Sequence, residues 1–232
     1  MRLAWTVTVV ASVLPIAARM EAQQTTAPVA PPPYESLRYD EDWSALRNPN
    51  VHFDAFDPLK YIRLGDHGNY LSLGGEVRET WERFHNDFGL SDTDPQGYLL
   101  QRYLFHADLH IGEHFRVFTQ FQSGIENFRV GGPRSVVDGD KLDANQAFVD
   151  IAPRASTTNG AVLRVGRQEI QLGSGRLVAR REGTNTLFSF DGARLILPFA
   201  SWQIDLFAAR PVLTNPGFFD DVQPRMPENA PS

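Results

Sequence analysis

The chain is 232 residues long, enough to bury one sizeable core or two, and it carries a net charge of −6 and no cysteine. A mildly acidic chain lacks the basic footprint of a nucleic-acid binder, and without cysteine there is no disulfide framework, zinc–thiolate site or thiol nucleophile. Its 42% hydrophobic content and mean hydropathy of −0.31 are too polar for a bundle of membrane helices.

The one long apolar stretch stands at the very start. Arg2 followed by the run Leu3–Ala18 is too short for a stable spanning helix and reads as an export signal, cut after Ala18 or Ala22. Residues 1–22 are therefore assigned to a signal peptide, with an uncleaved anchor as the rival. Gln23–Pro33 is rich in Thr, Ala and Pro, the composition of an extended linker. Tyr34–Leu59 mixes acids with Trp43, Phe53 and Phe56 and shows no clear period. Residues 23–59 are expected to be a periplasmic linker and lead-in that tucks into the mouth of whatever follows.

From residue 60 apolar and polar residues alternate. In Tyr70–Phe84 one face is Leu71, Leu73, Gly75, Val77 and Trp81, and the other is Ser72, Gly74, Glu76, Arg78, Thr80 and Glu82. Period two over such a length is a strand and excludes an amphipathic helix. The same alternation predicts strands at Tyr98–Ile111, from Phe115, and at Ala144–Ala152, Ala161–Leu172, Leu187–Leu197 and Ser201–Arg210. These seven are longer than the globular norm of about 5–6 residues and suit a tilted membrane-spanning strand. Loops over 85–97, 128–143 and 173–186 trade places with short turns at 112–114, 153–160 and 198–200. Short periplasmic turns and long external loops are the layout of outer-membrane barrels, and Phe115 and Trp202 then fall where an aromatic girdle belongs.

The expected fold is all-β, an antiparallel transmembrane β-barrel over residues 60–221, followed by a disordered tail over 222–232. A soluble β-sandwich is the rival; it predicts shorter strands and no alternation of loop length. Seven is an odd count, whereas single-chain bacterial barrels have an even number of strands. The polar segment after Pro211 cannot close a sheet, so the chain is expected to be part of a longer barrel.

Parity points Arg78, Arg102, Arg116, Arg164 and Arg194 inward, together with Glu76, Glu82, Asp108, Glu126, Asp150 and Asp205. Arg167 breaks parity with Leu163 and Val165, and a bulge at Gly166 is expected to re-aim it inward. His106 and His110, about 13 Å apart on one strand face, are too distant to share a metal ion. No nucleophile elbow or phosphate loop is present, and no carboxylate pair stands out as a glycosidase dyad, so neither an enzyme nor a cofactor is expected.

Several motifs occur in order: Leu37-Arg38-Tyr39-Asp40-Glu41-Asp42-Trp43, Tyr70-Leu71-Ser72-Leu73-Gly74-Gly75-Glu76-Val77-Arg78, Gln101-Arg102-Tyr103, and Leu142-Asp143 to Asp150. They continue with Leu163-Arg164-Val165-Gly166-Arg167-Gln168-Glu169-Ile170, Gly173-Ser174-Gly175-Arg176-Leu177-Val178, Ser189-Phe190-Asp191-Gly192-Ala193-Arg194-Leu195, and Arg210-Pro211-Val212 to Asp220-Asp221. From Leu37 to Asp221 this pattern resembles the alginate export family of outer-membrane porins. Family members are eighteen-stranded monomeric barrels in which basic residues draw an anionic uronate polymer through a narrow passage, which implies that about eleven strands lie beyond this chain. The resemblance places Arg164, Arg167 and Gln168 in the family's Gly-Arg-Gln block, with Arg176 just beyond it.

The expected wall and substrate contacts are thus Arg164, Arg167, Gln168, Arg176, Arg78, Arg102, Arg116, Asp150 and Arg194. Inward acids are about as numerous as inward arginines, so roughly half of these arginines are expected to be structural partners and the wall does not by itself name alginate as the substrate. The expected partners are outer-membrane lipid and an anionic polysaccharide or other small hydrophilic solute. The rival from another class is an exported, soluble carbohydrate-binding β-protein.

Overall fold

The alternating segments all become strands of one sheet in the computed structural model, which describes residues 30–65, 67–84, 96–134, 136–152, 160–199 and 202–223. The signal assigned to 1–22 lies outside the described residues, as do the side chains of Phe84, Gln96 and Trp202 and all of the tail expected over 222–232 except its first two residues, of which Val222 is bridged to Leu213. Seven long strands are β2 (Tyr70–Phe84), β3 (Gln96–Ile111), β4 (Phe115–Asn127), β5 (Asp140–Ile151), β6 (Val162–Gln168), β7 (Phe190–Phe199) and β8 (Trp202–Pro211). A two-residue strand that the alternation did not announce, β1 (Ile62–Arg63), pairs with the start of β2. Every strand is antiparallel to its sequence neighbours, in the order β1 to β8. Among the described residues, two short 3-10 turns (Arg38–Asp40 and Ser44–Arg47) and a single helical turn, α1 (Asp57–Lys60), interrupt the all-β character.

Burial in this sheet is inverted relative to a soluble protein. Among the described residues the exposed large side chains include Val77, Phe105, Phe115, Ile125, Val149, Val165 and Leu206, all on the face predicted to point outward. The buried ones include Arg102, Asp108, Gln120, Gln122, Asp150, Arg164 and Arg194, all on the opposite face. A β-sandwich would bury the first set and hydrate the second, because removing apolar area from water is its main driving force. The pattern would be favourable with an apolar medium against the outer face. Val77, the midpoint of β2 and 74% exposed, gives a direct check. Val77→Arg is expected to destabilise the chain folded in phospholipid vesicles by about 2–4 kcal/mol, the cost of a cation at the bilayer midplane. A soluble sheet would lose less than about 0.5 kcal/mol at so exposed a position.

Local geometry departs from simple alternation in two places. Gly112 (φ +59°) opens the three-residue turn between β3 and β4, where its left-handed backbone lets strands of 16 and 13 residues meet at a tight corner. In β5 the pairs Gln120↔Gln146 and Phe121↔Ala144 leave Asn145 as an extra residue, a β-bulge, and a second shift falls between Gln122 and Gly124. The bulge turns Asn145 to the same buried side as Gln146.

The bulge expected at Gly166 does not form. Ala147↔Arg167, Phe148↔Gly166 and Val149↔Val165 run in unbroken register, and so do the pairs with β7. Gly166 is required for another reason: at φ +134° a Cβ there would stand 2.3 Å from the Ala147 carbonyl oxygen.

Candidate functional site

The inner face of the sheet is covered by two inserted segments, and together they bury the charged residues. The first is the lead-in. Its Tyr39 ring packs edge-on against Phe118 (5.9 Å) and Phe148 (5.4 Å), which themselves stack at 5.2 Å. Aromatic pairs in such edge-to-face geometry add about 0.5–1.5 kcal/mol each to the burial of their area. The Tyr39 hydroxyl donates to the Glu169 carbonyl (2.9 Å), and its own carbonyl accepts from Arg116 Nη2 (2.6 Å). Burial pushes the Tyr39 hydroxyl up to about 12, against the opposing field of Arg164.

The second segment is the connection between β6 and β7, residues 169–189, which folds back over β2 to β5. Asn185, fully buried, donates through Nδ2 to the carbonyls of Gln101 (3.1 Å), Ile125 (3.2 Å) and Asp138 (2.8 Å). The Leu187 amide donates to Gln122 Oε1 (2.7 Å). Arg180 bridges the two segments. Its Nη1 donates to the Ser36 carbonyl and to Glu169 Oε2 (3.0 Å), and its Nη2 pairs with Glu182.

Glu169 is the hub of this arrangement and is 0% exposed. Its Oε1 accepts from Gln120 Nε2 (2.9 Å), Asn145 Nδ2 (2.6 Å) and Gln146 Nε2 (3.0 Å). The β5 bulge is what allows two consecutive amides to reach the same oxygen. Burial pushes the Glu169 carboxyl up, while Arg180 and the amides pull it back.

The predicted wall residues separate into three groups. Arg78, Arg102, Arg116, Arg164 and Arg194 project inward with Asp150, and every one of these arginines has a carboxylate within 4.0 Å. Arg164 binds Asp150 through two bonds of 2.8 Å, and its guanidinium lies 4.0 Å from both the Tyr39 and Phe148 ring centroids. Arg116 grips Asp108 with two bonds of 2.6 Å, and Arg194 takes Asp205 at 2.7 Å. Gln168 also faces inward, fully buried. His106 stacks on Phe118 (5.6 Å), and His110 lies against Tyr70 (4.2 Å) and bonds Asp108 (3.1 Å).

Arg167 is not on this wall. Its register partners Ala147 and Asp191 face outward, and Asp191 neutralises it through bonds of 2.8 and 3.2 Å. It tolerates the outer face because it is the second-last residue of β6, at the rim, and carries its own counter-ion there. Arg176 is likewise off the wall, exposed on the β6–β7 connection.

Two arginines meet the inserted connection itself. Arg102, 0% exposed, is held by Glu76 Oε1 (2.7 Å) and by Glu182 Oε1 (2.5 Å). Arg78 donates to the carbonyls of Glu182 (3.0 Å) and Thr184 (2.7 Å). Glu76 also takes Arg38 of the lead-in (3.0 Å). Tyr39, Glu169, Arg180 and Glu182 were not among the predicted contacts; for Glu169 the available signal was the break in alternation at Glu169-Ile170, both fully buried.

Comparison with known proteins gives one match. The family model for alginate export matches residues 69–226, from just before β2 to beyond β8. No curated protein and no solved structure matches the chain.

Proposed function

The chain belongs to the alginate export family, a family of outer-membrane proteins, and from that premise we propose that its seven long strands are wall of a channel for anionic hydrophilic solutes. The observation that carries this reading is the inversion of burial, with apolar side chains outward and arginine–carboxylate pairs inward. Outer-membrane lipid is the partner of the outer face. The edges of the sheet at β1 and β8 need pairing strands in that environment, because each orphan backbone group in lipid costs several kcal/mol. The work of such a channel is electrostatic, and no bond is made or broken.

The inner wall as it stands is neutralised and covered. Arg78 and Arg102 donate to one carboxylate and two carbonyl oxygens of the β6–β7 connection, and a carboxylated sugar presents acceptors of the same kind. Glu182 thus acts as an internal stand-in for a passing anion. Withdrawal of the connection leaves both guanidinium groups facing the lumen, where low-dielectric walls focus their field. A uronate polymer fits this chemistry, and other polyanions compete for the same pair.

Glu182→Gln, placed in a closed channel whose wall these strands supply, tests the mechanism in planar bilayers. The variant is expected to conduct more and to shift toward anions relative to wild type, because it weakens the latch and removes a negative charge from the lumen. Unchanged conductance and selectivity would contradict the latch. Cation selectivity in both proteins would contradict anion transport itself.

A further inference from the structure

The rim of β5 carries a second charged cluster that the wall does not use. Asp140 opens β5 and Asp143 follows three residues on, next to the second register shift. After β8 the segment Leu213–Val222 doubles back on itself, with Leu213 N–H to Val222 O at 2.8 Å and Val222 N–H to Leu213 O at 3.3 Å. This hairpin is stitched to β5 by Phe219 N–H to Leu142 O (3.0 Å) and Leu142 N–H to Gly217 O (3.4 Å). It delivers Asp221 to the other two acids. One carboxylate oxygen from each of Asp140, Asp143 and Asp221 then lies within 4.8 Å of the others.

Asp140 and Asp143 are buried and Asp221 is half-buried, and among the described residues no basic side chain pairs with any of the three. Asp140 is 1% and Asp143 2% exposed. The basic groups nearby are engaged elsewhere: Arg167 spends its charge on Asp191 (2.8 Å) and reaches only the Asp221 backbone oxygen (3.5 Å), and Lys141 lies over the Phe218 ring (5.4 Å). Asp140 Oδ2 takes one long bond from Gln122 Nε2 (3.3 Å), while Asp140 Oδ1 is buried with no hydrogen-bond partner at all. Folded proteins seldom leave a buried carboxylate oxygen so unsatisfied, and they do so chiefly where something else completes it.

We propose that Asp140, Asp143 and Asp221 bind a divalent cation, calcium, which clasps the hairpin after β8 to the rim of β5. The donors are hard carboxylate oxygens with no nitrogen or sulfur, a set that favours calcium or magnesium over zinc. Oxygens on opposite sides of a calcium ion stand about 4.8 Å apart, twice its usual bond of about 2.4 Å. Magnesium holds several of its waters and is seldom bound by a cage of protein carboxylates alone, which favours calcium here. The ion would satisfy Asp140 Oδ1 and relieve the repulsion among three acids that come from two separate segments of the chain.

The test is calorimetric titration of calcium chloride into the full chain, folded in detergent and stripped with chelator. One ion per chain is expected, with affinity at least tenfold weaker in Asp140→Asn and a calcium-dependent rise in melting temperature that the variant loses. Asp221→Asn, on the hairpin outside the sheet, repeats the test where folding of the strands is not at stake. Absence of binding in wild type, or equal affinity in wild type and Asp221→Asn, would overturn the proposal. Both readouts are independent of transport, so failure here leaves the channel reading standing, and failure of the channel leaves this site standing.

Discussion

Glu169→Ala is expected to lower the stability of the folded chain by about 3–5 kcal/mol, the usual cost of removing one partner from a buried charge pair. Glu169 lies at 0% exposure, so the substitution strands several groups at once. Arg180 Nη1 loses the carboxylate at 3.0 Å, leaving Glu182 as its remaining counter-ion. Gln120, Asn145 and Gln146 lose the acceptor they share at 2.6–3.0 Å. Unfolding by urea from phospholipid vesicles measures the loss directly. Glu169→Gln separates charge from geometry: its carbonyl can still accept the three amides, but its amide then faces Arg180. An intermediate loss is expected for Gln, and equal stability of all three proteins would show that the hub does not hold the inserted segments.

Tyr39→Ala is expected to release the lead-in without unfolding the sheet. The ring supplies two edge-on contacts, one face of the Arg164 sandwich and a hydroxyl bond to Glu169, and losing a buried aromatic of this kind costs about 3–5 kcal/mol. The strands are held by their own ladders, so the cost falls on docking of the lead-in. Local opening exposes the backbone to protease in proportion to its population, which makes trypsin cleavage after Arg38 and Arg47 a suitable readout. Cleavage is expected to accelerate by roughly 100-fold or more, since every 1.4 kcal/mol is a factor of ten. The same variant is expected to conduct more in bilayers, because the lead-in covers the inner wall between Glu76 and Phe148. Slow cleavage matching wild type would mean that the lead-in is held by contacts other than Tyr39.

The strands and their two faces were legible in the sequence because both follow from period two, a property of neighbouring residues. Val77, Phe105 and Leu206 outward, and Arg102, Asp108 and Arg164 inward, needed no knowledge of what lay across the sheet. The bulge was a different matter. Gly166 looked like its site, yet a glycine in a strand serves equally for close approach of a neighbouring backbone, and the Ala147 carbonyl is that neighbour. The extra residue is Asn145 in β5, which carries no local mark; it is selected by Glu169, 24 positions away. Arg167 shows the same limit. Parity placed it outward, and the expectation that it must be re-aimed overlooked Asp191, its register partner one strand on. The covering of the wall depends on contacts as distant as Tyr39 with Glu169 and Arg102 with Glu182, which no periodicity encodes. Parity indicated which arginines face inward and the similar number of inward acids suggested that many are paired; what it could not show is that Arg78, Arg102, Arg116, Arg164 and Arg194 all are.

A channel wall built from these strands requires the apolar face of the sheet to meet lipid. A chain with no cysteine makes the decisive measurement simple. Single cysteines placed at Val77, Phe105, Val149 and Leu206 outward, and at Ser72, Gln120 and Gln122 inward, carry a fluorophore whose quenching by lipid-borne nitroxides is read in vesicles. Strong quenching at the four outward positions and weak quenching at the three inward ones is the expected result. Uniformly weak quenching, with every position open to a water-soluble quencher, would contradict a membrane-embedded wall and leave a soluble β-protein in its place.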